Sequence, residues 1–368
     1  MTGPLAGIRV ADFTELLPGP FLTQALAEMG AEVVKVERPP RGDLVRTVSP
    51  GLFAAVNRGK RSRVANLKDE GDRAAALDLA AAADVVVEGY RPGVMDRLGL
   101  GYAAVRARNP RVVYLSLTGY GQTGPLRDVP GHDLNYLATA GMTSLCGAPD
   151  GPPRHGIGAP VADLGGAVYG LSAILAALFQ RERTGAGQYL DLSMTDCVAH
   201  MLNARKGVYA AGGVADLAGQ RALALARPAY GVFDVTDGAV TVAALELHFW
   251  KALVALLDLA DWAGPEFHPT PARAARCAEI NAAVAAKLAP LTREAAVAML
   301  LGADIPAAPV LTVAEADASP HFAARGLAVP TASGRLTPFP VRLAGMAPMA
   351  VVPSPLGDQE EGRGEGRG

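Results

Sequence analysis

The first 120 residues alternate between patterns typical of strands and patterns typical of helices. Apolar, valine-rich runs at residues 8–13, 32–37, 84–88 and 111–117 indicate buried strands, and an alanine-rich run at 69–83 indicates a helix. Strands that alternate with helices form right-handed crossovers, which place parallel strands side by side and helices on both faces of the sheet. The order of these runs therefore predicts an α/β fold.

Turn, capping and linker residues divide the rest of the chain into domains. Pro18 and Pro20 favour the first turn of a helix that ends near Gly30, and residues 165–179 form a strongly apolar helix that we expect to be central. A strand is predicted at 188–193, and Asp237-Gly238 is a strong hairpin signal in a later part of the chain. We expect a large domain at 1–210 completed by 327–353, a Gly/Ala-rich linker at 211–228, a small α+β domain at 229–326 and a flexible polar tail at 354–368.

Composition excludes several classes of protein. Half of the residues are apolar, which rules out a disordered chain, and 34 basic against 36 acidic residues give no bulk field for nucleic acid. The three cysteines form no CxxC pair and the six histidines have no metal-ligand spacing, so we expect neither disulfides nor a metal site. The N-terminus lacks a leader pattern, and no apolar stretch is expected to span a membrane. The sequence thus predicts a soluble, cytoplasmic protein.

An apparent dinucleotide fingerprint fails on its context. Residues 119–124 match GxGxxG and follow a predicted strand, but Pro125 comes next and no helix opens there. The fingerprint needs a helix N-terminus to hold the pyrophosphate. Nicotinamide binding is therefore disfavoured, and no cofactor is predicted.

Three polar positions stand out against apolar surroundings. The segment 131–136 gathers an imidazole, a carboxylate, an amide and a phenol, although a polar turn explains it as well. Asp163 precedes the apolar helix, where it is either a helix cap or a carboxylate beside backbone N–H groups that stabilise an oxyanion. Glu246 ends an apolar strand and is either simply exposed or the partner of an imidazole.

Basic residues cluster between Lys35 and Arg91, which favours an anionic, phosphate-bearing ligand or a solvated basic face.

Taken together, these segments resemble the family III CoA-transferases of CaiB/BaiF type, and most closely the α-methylacyl-CoA racemase branch. The matching segments are PLAGIRV (4–10), PGPF (18–21), GAEVVKVERP (30–39), NRGKRS (57–62), DVVVEGYRPG (84–93), SLTGYGQTGP (116–125), GHDLNY (131–136), PVLT (309–312) and RG (325–326). The resemblance spans nearly the whole chain, and the order and spacing of the segments make it specific. It implies a Rossmann-like large domain, a smaller α+β domain and an interlocked homodimer.

The resemblance also implies catalytic roles. Transferases of the family use an aspartate nucleophile, which Asp163 matches, and racemases add a histidine and a supporting glutamate, which His132 and Glu246 match. A racemase needs two acid/base groups on opposite faces of the α-carbon of a thioester, and an imidazole and a carboxylate can fill these roles. The leading expectation is therefore a racemase or epimerase of 2-methyl-branched acyl-CoA, in which Glu246 orients His132 across the dimer interface. The alternative is a CoA-transferase with Asp163 as nucleophile, and a silent CoA-binding protein is the third hypothesis.

The resemblance further implies which residues bind the acyl-CoA substrate. Two departures from the family pattern stand out: Asn66 replaces a common aspartate, and Glu-Gly-Arg-Gly repeats replace the usual terminal helix. The expected CoA-binding residues are Arg38, Ala65, Asn66, Leu67, Lys68, Arg91, Gly131, Asp133, Leu134, Asn135 and Tyr136.

Overall fold

The computed structural model describes residues 3–147, 151–156, 158–225, 227–331, 334–343 and 352–358. The described residues divide into two compact units. Unit 1 lies within Met1–Thr143, His155–Asn203 and Asp317–Gly368, and unit 2 lies within Ser144–Arg154 and Ala204–Ala316.

Unit 1 is built on a six-stranded, fully parallel sheet in the order β3-β2-β1-β4-β5-β6. This is the strand order of doubly wound folds, in which ligands bind at the carboxyl ends of the strands where the order reverses. Here the reversal lies between β1 and β4. The strands are β1 (Arg9–Phe13), β2 (Glu32–Glu37), β3 (Lys60–Val64), β4 (Val85–Glu88), β5 (Val113–Thr118) and β6 (Gln188–Ser193).

Helices cover both faces of this sheet, as the alternating pattern predicts. Val85, Val87, Val113 and Leu115 pack with the helices on one face, whereas Val86 belongs to a second apolar cluster on the other. The helices are α1 (Pro18–Glu28), α2 (Val45–Val48), α3 (Pro50–Val56), α4 (Glu70–Ala82), α5 (Val94–Arg97), α6 (Tyr102–Arg108), α7 (Asp133–Thr139), α8 (Val161–Thr184) and α9 (Met194–Met201), with a 3-10 turn at Thr143–Leu145.

The strand β3 is not among the sequence predictions. Its inward positions Lys60 and Ser62 are polar yet buried, and Arg61 between them is exposed. An apolar alternation is therefore absent, although the period of two is present in the burial pattern.

Helix α8 is longer than the predicted 165–179, and by length and composition it is apolar enough to cross a membrane. Half of its most apolar window is buried within the protein, and it packs against α1, α9, β5 and β6. A core helix of a soluble protein meets the same criterion. Its role in unit 1 is to bring its N-terminus, with Asp163, to the sheet edge where β5 ends.

Unit 2 contains a three-stranded antiparallel sheet in the order β7-β8-β9, covered by helices. The predicted Asp237-Gly238 turn joins β7 and β8, and Trp250 and Ile280 lie in the core. The elements from Asn203 onward are α10 (Asn203–Gly212), α11 (Leu217–Leu225), β7 (Tyr230–Val235), β8 (Gly238–Ala243), α12 (Leu247–Leu256), α13 (Thr270–Ala275), α14 (Cys277–Leu288), α15 (Arg293–Gly302), β9 (Ala307–Pro309) and α16 (Val313–Ala318), with 3-10 turns at Ala260–Trp262 and Pro265–Phe267.

Two segments differ from the expected domain plan. Helix α11 lies in the expected linker 211–228, and its Arg221 is buried and donates a hydrogen bond to the carbonyl oxygen of Ser144. Part of the expected flexible tail is held against β3, because the Ser354 hydroxyl donates to the Lys60 carbonyl and the Ser62 N–H donates to Asp358. The rest of that tail, residues 359–368, lies outside the described residues.

After unit 2 the chain returns to unit 1. Helix α17 (Pro320–Arg325) precedes an antiparallel pair, β10 (Val329–Thr331) and β11 (Gly334–Leu336). The N–H of Phe339 then donates to Glu28 of α1, and the Phe339 side chain packs on the main core of unit 1. The described part of 327–353 thus lies in unit 1.

Candidate active site

A cavity of about 540 Å³ opens at the carboxyl ends of β1, β4 and β5, where the strand order reverses. Parallel strands end together at this edge, so the turns that follow them form its walls. The cavity is lined by Thr14, Glu15, Leu16, Pro18, Gly19, Gly89, Tyr90, Arg91, Pro92, Leu117, Thr118, Gly119, Tyr120, Arg127, Val129, Pro130, Gly131, His132, Asn135, Tyr136, Asp163 and Met194.

Asp163 is a carboxylate in this cavity that does not serve as a helix cap. It lies in the first turn of α8, three residues after Pro160, which occupies the cap position. Burial, followed by the nearby charge of Asp133, raises the pKa of Asp163 to about 7. Among the described residues, no hydrogen-bond donor is recorded on its side chain. A carboxylate with these properties is available for nucleophilic or acid/base chemistry near neutral pH.

The cap of α8 comes from a distant residue. One oxygen of Asp133 accepts the N–H groups of Ala162 at 2.7 Å and of Asp163 at 3.1 Å. Asp133 therefore satisfies donors that a helix start leaves unpaired. Two of the backbone N–H groups that were expected to stabilise an oxyanion beside Asp163 are therefore already occupied.

His132 lines the same cavity as Asp163. It occupies the cap position of α7, where its N–H donates to the Asn135 side-chain oxygen at 3.0 Å, and its side chain is exposed. The two side chains expected to carry catalysis thus share one cavity, although they are 31 positions apart in the sequence. Two groups that act on one α-carbon must reach the same cavity, and both of these residues line it.

Two glycines make room for Tyr136 beside these residues. The Tyr136 hydroxyl donates to the carbonyl oxygen of Gly131, and burial raises the pKa of this phenol to about 12. A side chain at either Gly119 or Gly131 would overlap the Tyr136 ring. Gly119 of the GxGxxG-like segment and Gly131 of GHDLNY therefore serve local packing.

The first strand-to-helix turn offers no pyrophosphate site of the dinucleotide type. Helix α1 begins with Pro18-Gly19-Pro20, so two of its first three residues lack an N–H group. After β5 no helix opens at the GxGxxG-like segment, and the next helix begins only at Asp133. The absence of a helix after this segment agrees with its expected failure as a fingerprint.

The residues expected to bind CoA fall into three groups. Arg91, Gly131, Asn135 and Tyr136 line the cavity. Outside the cavity lining, but along the same edge of the sheet, lie exposed Arg38 after β2 and the segment 65–68 after β3, in which Ala65 is buried and Asn66 and Lys68 are exposed. Leu67 packs partly on an apolar cluster, Leu134 is exposed on α7, and Asp133 is engaged with α8.

Glu246 lies in unit 2, where it precedes α12 as its cap residue. Its side chain is exposed and makes no capping hydrogen bond. Its role as the partner of His132 stays a prediction.

Sequence reasoning missed the turn between β1 and α1, which contributes Thr14, Glu15 and Leu16 to the cavity. Glu15 forms an ion pair with Arg38 at 3.2 Å, and burial raises the pKa of its carboxyl group, an effect that Arg38 partly offsets. The available signal was the position of this turn directly after the first strand of a doubly wound pattern.

The profile of "CoA-transferase family III" matches residues 5–357. The chain belongs to CoA-transferase family III. The resemblance to this family is thereby confirmed over nearly the whole chain.

Curated relatives of this family III protein are named as CoA-transferases. An acetyl-CoA:oxalate CoA-transferase of Acetobacter aceti is 37% identical over 93% of this chain and 90% of its own length. A succinyl-CoA:mesaconate CoA-transferase of Haloarcula marismortui is 37% identical over 87% of this chain and 83% of its own. A succinate–glutarate CoA-transferase of Agrobacterium fabrum is 34% identical, covering 89% and 84%. These names favour the transferase alternative over the racemase expectation.

Solved structures of the family share the fold. A CaiB/BaiF family protein from Brucella suis superposes with a TM-score of 0.86 at 31% identity and covers 99% of both chains. The mixed α/β architecture expected from the sequence is therefore confirmed.

Proposed function

We propose that this family III enzyme is a CoA-transferase that moves CoA between carboxylic acids, with Asp163 as the nucleophile. The observation that carries the proposal is the position of the Asp163 carboxylate: it faces the cavity, is released from capping by Asp133, and has a pKa raised to about 7. The names of the curated relatives support the same reaction.

The reaction needs four balanced displacements. The Asp163 carboxylate attacks the thioester carbonyl of the donor and expels CoA thiolate, which leaves a mixed anhydride. The thiolate attacks the aspartyl carbonyl of the anhydride, releases the donor acid and leaves an aspartyl-CoA thioester. The acceptor carboxylate attacks this thioester and expels the thiolate again. The thiolate finally attacks the acyl carbonyl of the second anhydride, which forms the new acyl-CoA and regenerates Asp163.

We propose short dicarboxylates as one substrate class. The relatives are named for oxalate, mesaconate, succinate and glutarate. Two guanidinium groups, Arg91 and Arg127, line the cavity and suit a second carboxylate. Arg127 has a long 3.9 Å ion pair with Asp128, whose side chain is 80% exposed, so little holds it away from a ligand.

The experiment is a transfer assay with succinyl-CoA or acetyl-CoA as donor and oxalate, glutarate, mesaconate or a monocarboxylate as acceptor, read by mass spectrometry of the CoA esters. Hydroxylamine added during turnover should convert residue 163 to the hydroxamate. Asp163→Ala should remove both signals, whereas Asp128→Asn, a matched carboxylate change on exposed chain, should keep them. Absence of transfer across the panel, or transfer that survives Asp163→Ala, would overturn the proposal.

The racemase stays a second candidate because His132 and Asp163 line one cavity. A 2-methylacyl-CoA incubated in heavy water should then acquire deuterium at C2, and His132→Ala should suppress the exchange. CoA binding with neither exchange nor transfer would instead favour the silent CoA-binding hypothesis.

The interlocked homodimer and the approach of Glu246 to His132 of the other subunit stay part of this proposal. Light scattering of the purified protein tests the first. The second is tested by mixing His132→Ala and Glu246→Ala subunits and measuring deuterium exchange at C2, because a site shared between subunits regains this exchange in the mixed dimer.

A further inference from the structure

The turn between β1 and α1 forms one wall of the cavity in a conformation that needs support. Leu16 has a backbone φ of +68°, a left-handed conformation that is unfavourable for a residue with a Cβ atom. Thr14, Glu15 and Leu16 all line the cavity. A wall with this strain persists only if neighbouring groups fix it.

A buried ion pair from the next strand and loop supplies that fixation. Asp43 accepts the Leu16 N–H at 3.2 Å with each of its carboxylate oxygens. Lys35 of β2 pairs with Asp43 at 3.0 Å and donates to the Thr14 carbonyl oxygen at 2.6 Å. The side chains of Lys35 and Asp43 are 2% and 0% exposed. The pair thus holds one backbone group at each end of the Thr14–Leu16 turn.

The other side of Thr14 is also fixed. The Asp12 carboxylate accepts both the N–H and the hydroxyl of Thr14, and Lys60 pairs with Asp12 at 3.1 Å. The N–H of Thr14 is therefore held from β1 and its carbonyl from β2. Among the described residues, Asp43 is the side chain that accepts a hydrogen bond from the Leu16 backbone, which makes it the decisive group for the far end of the turn.

We infer that Asp43 and Lys35 are positioning residues, which hold the turn in the conformation that makes it a cavity wall for the reacting acyl group. Neither side chain lines the cavity, so both act through Thr14 and Leu16. The kinetic consequence rests on the proposed function, whereas the conformational one does not. Buried ion pairs that lose one partner leave an uncompensated charge, so the two effects need separate readouts.

The chain offers a matched control in the same unit. Arg58 and Glu28 form a second buried pair at 2.8 Å, with side chains 3% and 5% exposed, and neither lines the cavity. Glu28→Gln therefore carries a similar structural cost without touching the turn. The double variant Lys35→Met with Asp43→Leu removes the hydrogen bonds from both side chains to the turn and leaves neither partner of the pair as an unpaired charge. It therefore tests the inference even if Asp43→Asn folds poorly.

The experiment measures hydrogen exchange of the peptide covering residues 13–17 in the free protein, and kcat and KM for transfer. Asp43→Asn and the double variant should exchange this peptide faster than wild type and lower kcat about 100-fold, the effect of a cavity wall misplaced by about 1 Å. Glu28→Gln should leave the peptide unchanged and lower kcat less than tenfold.

Two results would overturn the inference: unchanged exchange in this peptide, or faster exchange with kcat equal to that of Glu28→Gln. The exchange arm uses no substrate. If the wild-type protein transfers no CoA, the proposed function fails, but the exchange result still decides whether the pair holds the turn.

Discussion

The carboxylate of Asp133 accepts the backbone N–H of Asp163 across 30 sequence positions at 3.1 Å. This contact has two effects on the candidate nucleophile. It caps the start of α8, so Asp163 does not serve as the cap. It also places a like charge close by, which adds to burial in raising the pKa of Asp163 to about 7. Asp133 thus holds the backbone of Asp163 and, after burial, contributes to its raised pKa.

Replacing Asp133 by asparagine should move the acid limb of the pH–activity profile to lower pH. The amide oxygen still accepts the two N–H groups, but the like charge is lost, so the pKa of Asp163 falls and the carboxylate forms at lower pH. The measurement is kcat/KM for transfer between pH 5 and 9. Asp128→Asn is the control, and an equal shift in both variants would contradict the explanation.

Replacing Asp163 by asparagine should abolish transfer and stabilise the protein at alkaline pH. The folded-state pKa of about 7 lies above that of the unfolded chain, so the wild-type protein loses stability as pH rises between about 4 and 7. The asparagine variant lacks this penalty, which reaches at most about 4 kcal/mol and is reduced by solvent screening of the half-buried group. Urea unfolding at pH 4 and pH 8 measures it. If the asparagine variant is less stable than wild type at pH 8, the ionised carboxylate of Asp163 does not destabilise the folded protein, and the prediction is wrong.

His132→Ala separates the two chemistries that the cavity permits. In transfer, every nucleophile is an anion, so loss of the imidazole should lower kcat less than tenfold. In racemisation, loss of a positioned acid/base group should lower the rate about 10²- to 10⁴-fold. Parallel assays of transfer and of deuterium incorporation at C2 give the comparison. A transfer rate that falls more than 100-fold would contradict the simple displacement mechanism.

Gly119→Ala should damage the site by steric overlap. The added methyl group meets the Tyr136 ring, which must shift or strain the turn, at a cost of about 1–3 kcal/mol in unfolding free energy. Thermal unfolding and kcat/KM should both fall. Gly51→Ala is the control, because a Cβ there meets nothing within 4 Å, and it should change neither quantity appreciably.

Glu15→Gln should lower KM for the CoA donor. Glu15 neutralises Arg38, which is expected to contact CoA, and loss of the carboxylate frees the guanidinium for phosphate. The effect should be a few-fold, since an exposed ion pair is worth about 0.2–1 kcal/mol. Glu32→Gln, an exposed carboxylate at the other end of β2, is the control and should leave KM unchanged. A rise in KM would count against competition for Arg38.

Within the six-stranded sheet, five strands were predicted from the sequence and β3 was not. Residues 32–37 form a strand at the predicted bounds, because a valine-rich run reports burial directly. Residues 188–193 also form a strand at the predicted bounds, although only Leu192 and Ser193 in it are buried. Strand β3 was not predicted because its buried residue Lys60 is polar and pairs with Asp12. A sequence pattern does not show a buried ion pair of this kind, because the two partners are far apart along the chain. The same reason hid Lys35 and Asp43.

The sequence by itself determined the α/β order, the family and the presence of His132 and Asp163, since each depends on residue type and local spacing. Only the tertiary structure decided that these two side chains share a cavity and that Asp133 rather than Asp163 caps α8. It also decided that two of the N–H groups expected for an oxyanion are occupied. Parallel strands bring together turns that are far apart along the chain. Which donor then meets which acceptor depends on distances of a few ångströms that no residue pattern encodes.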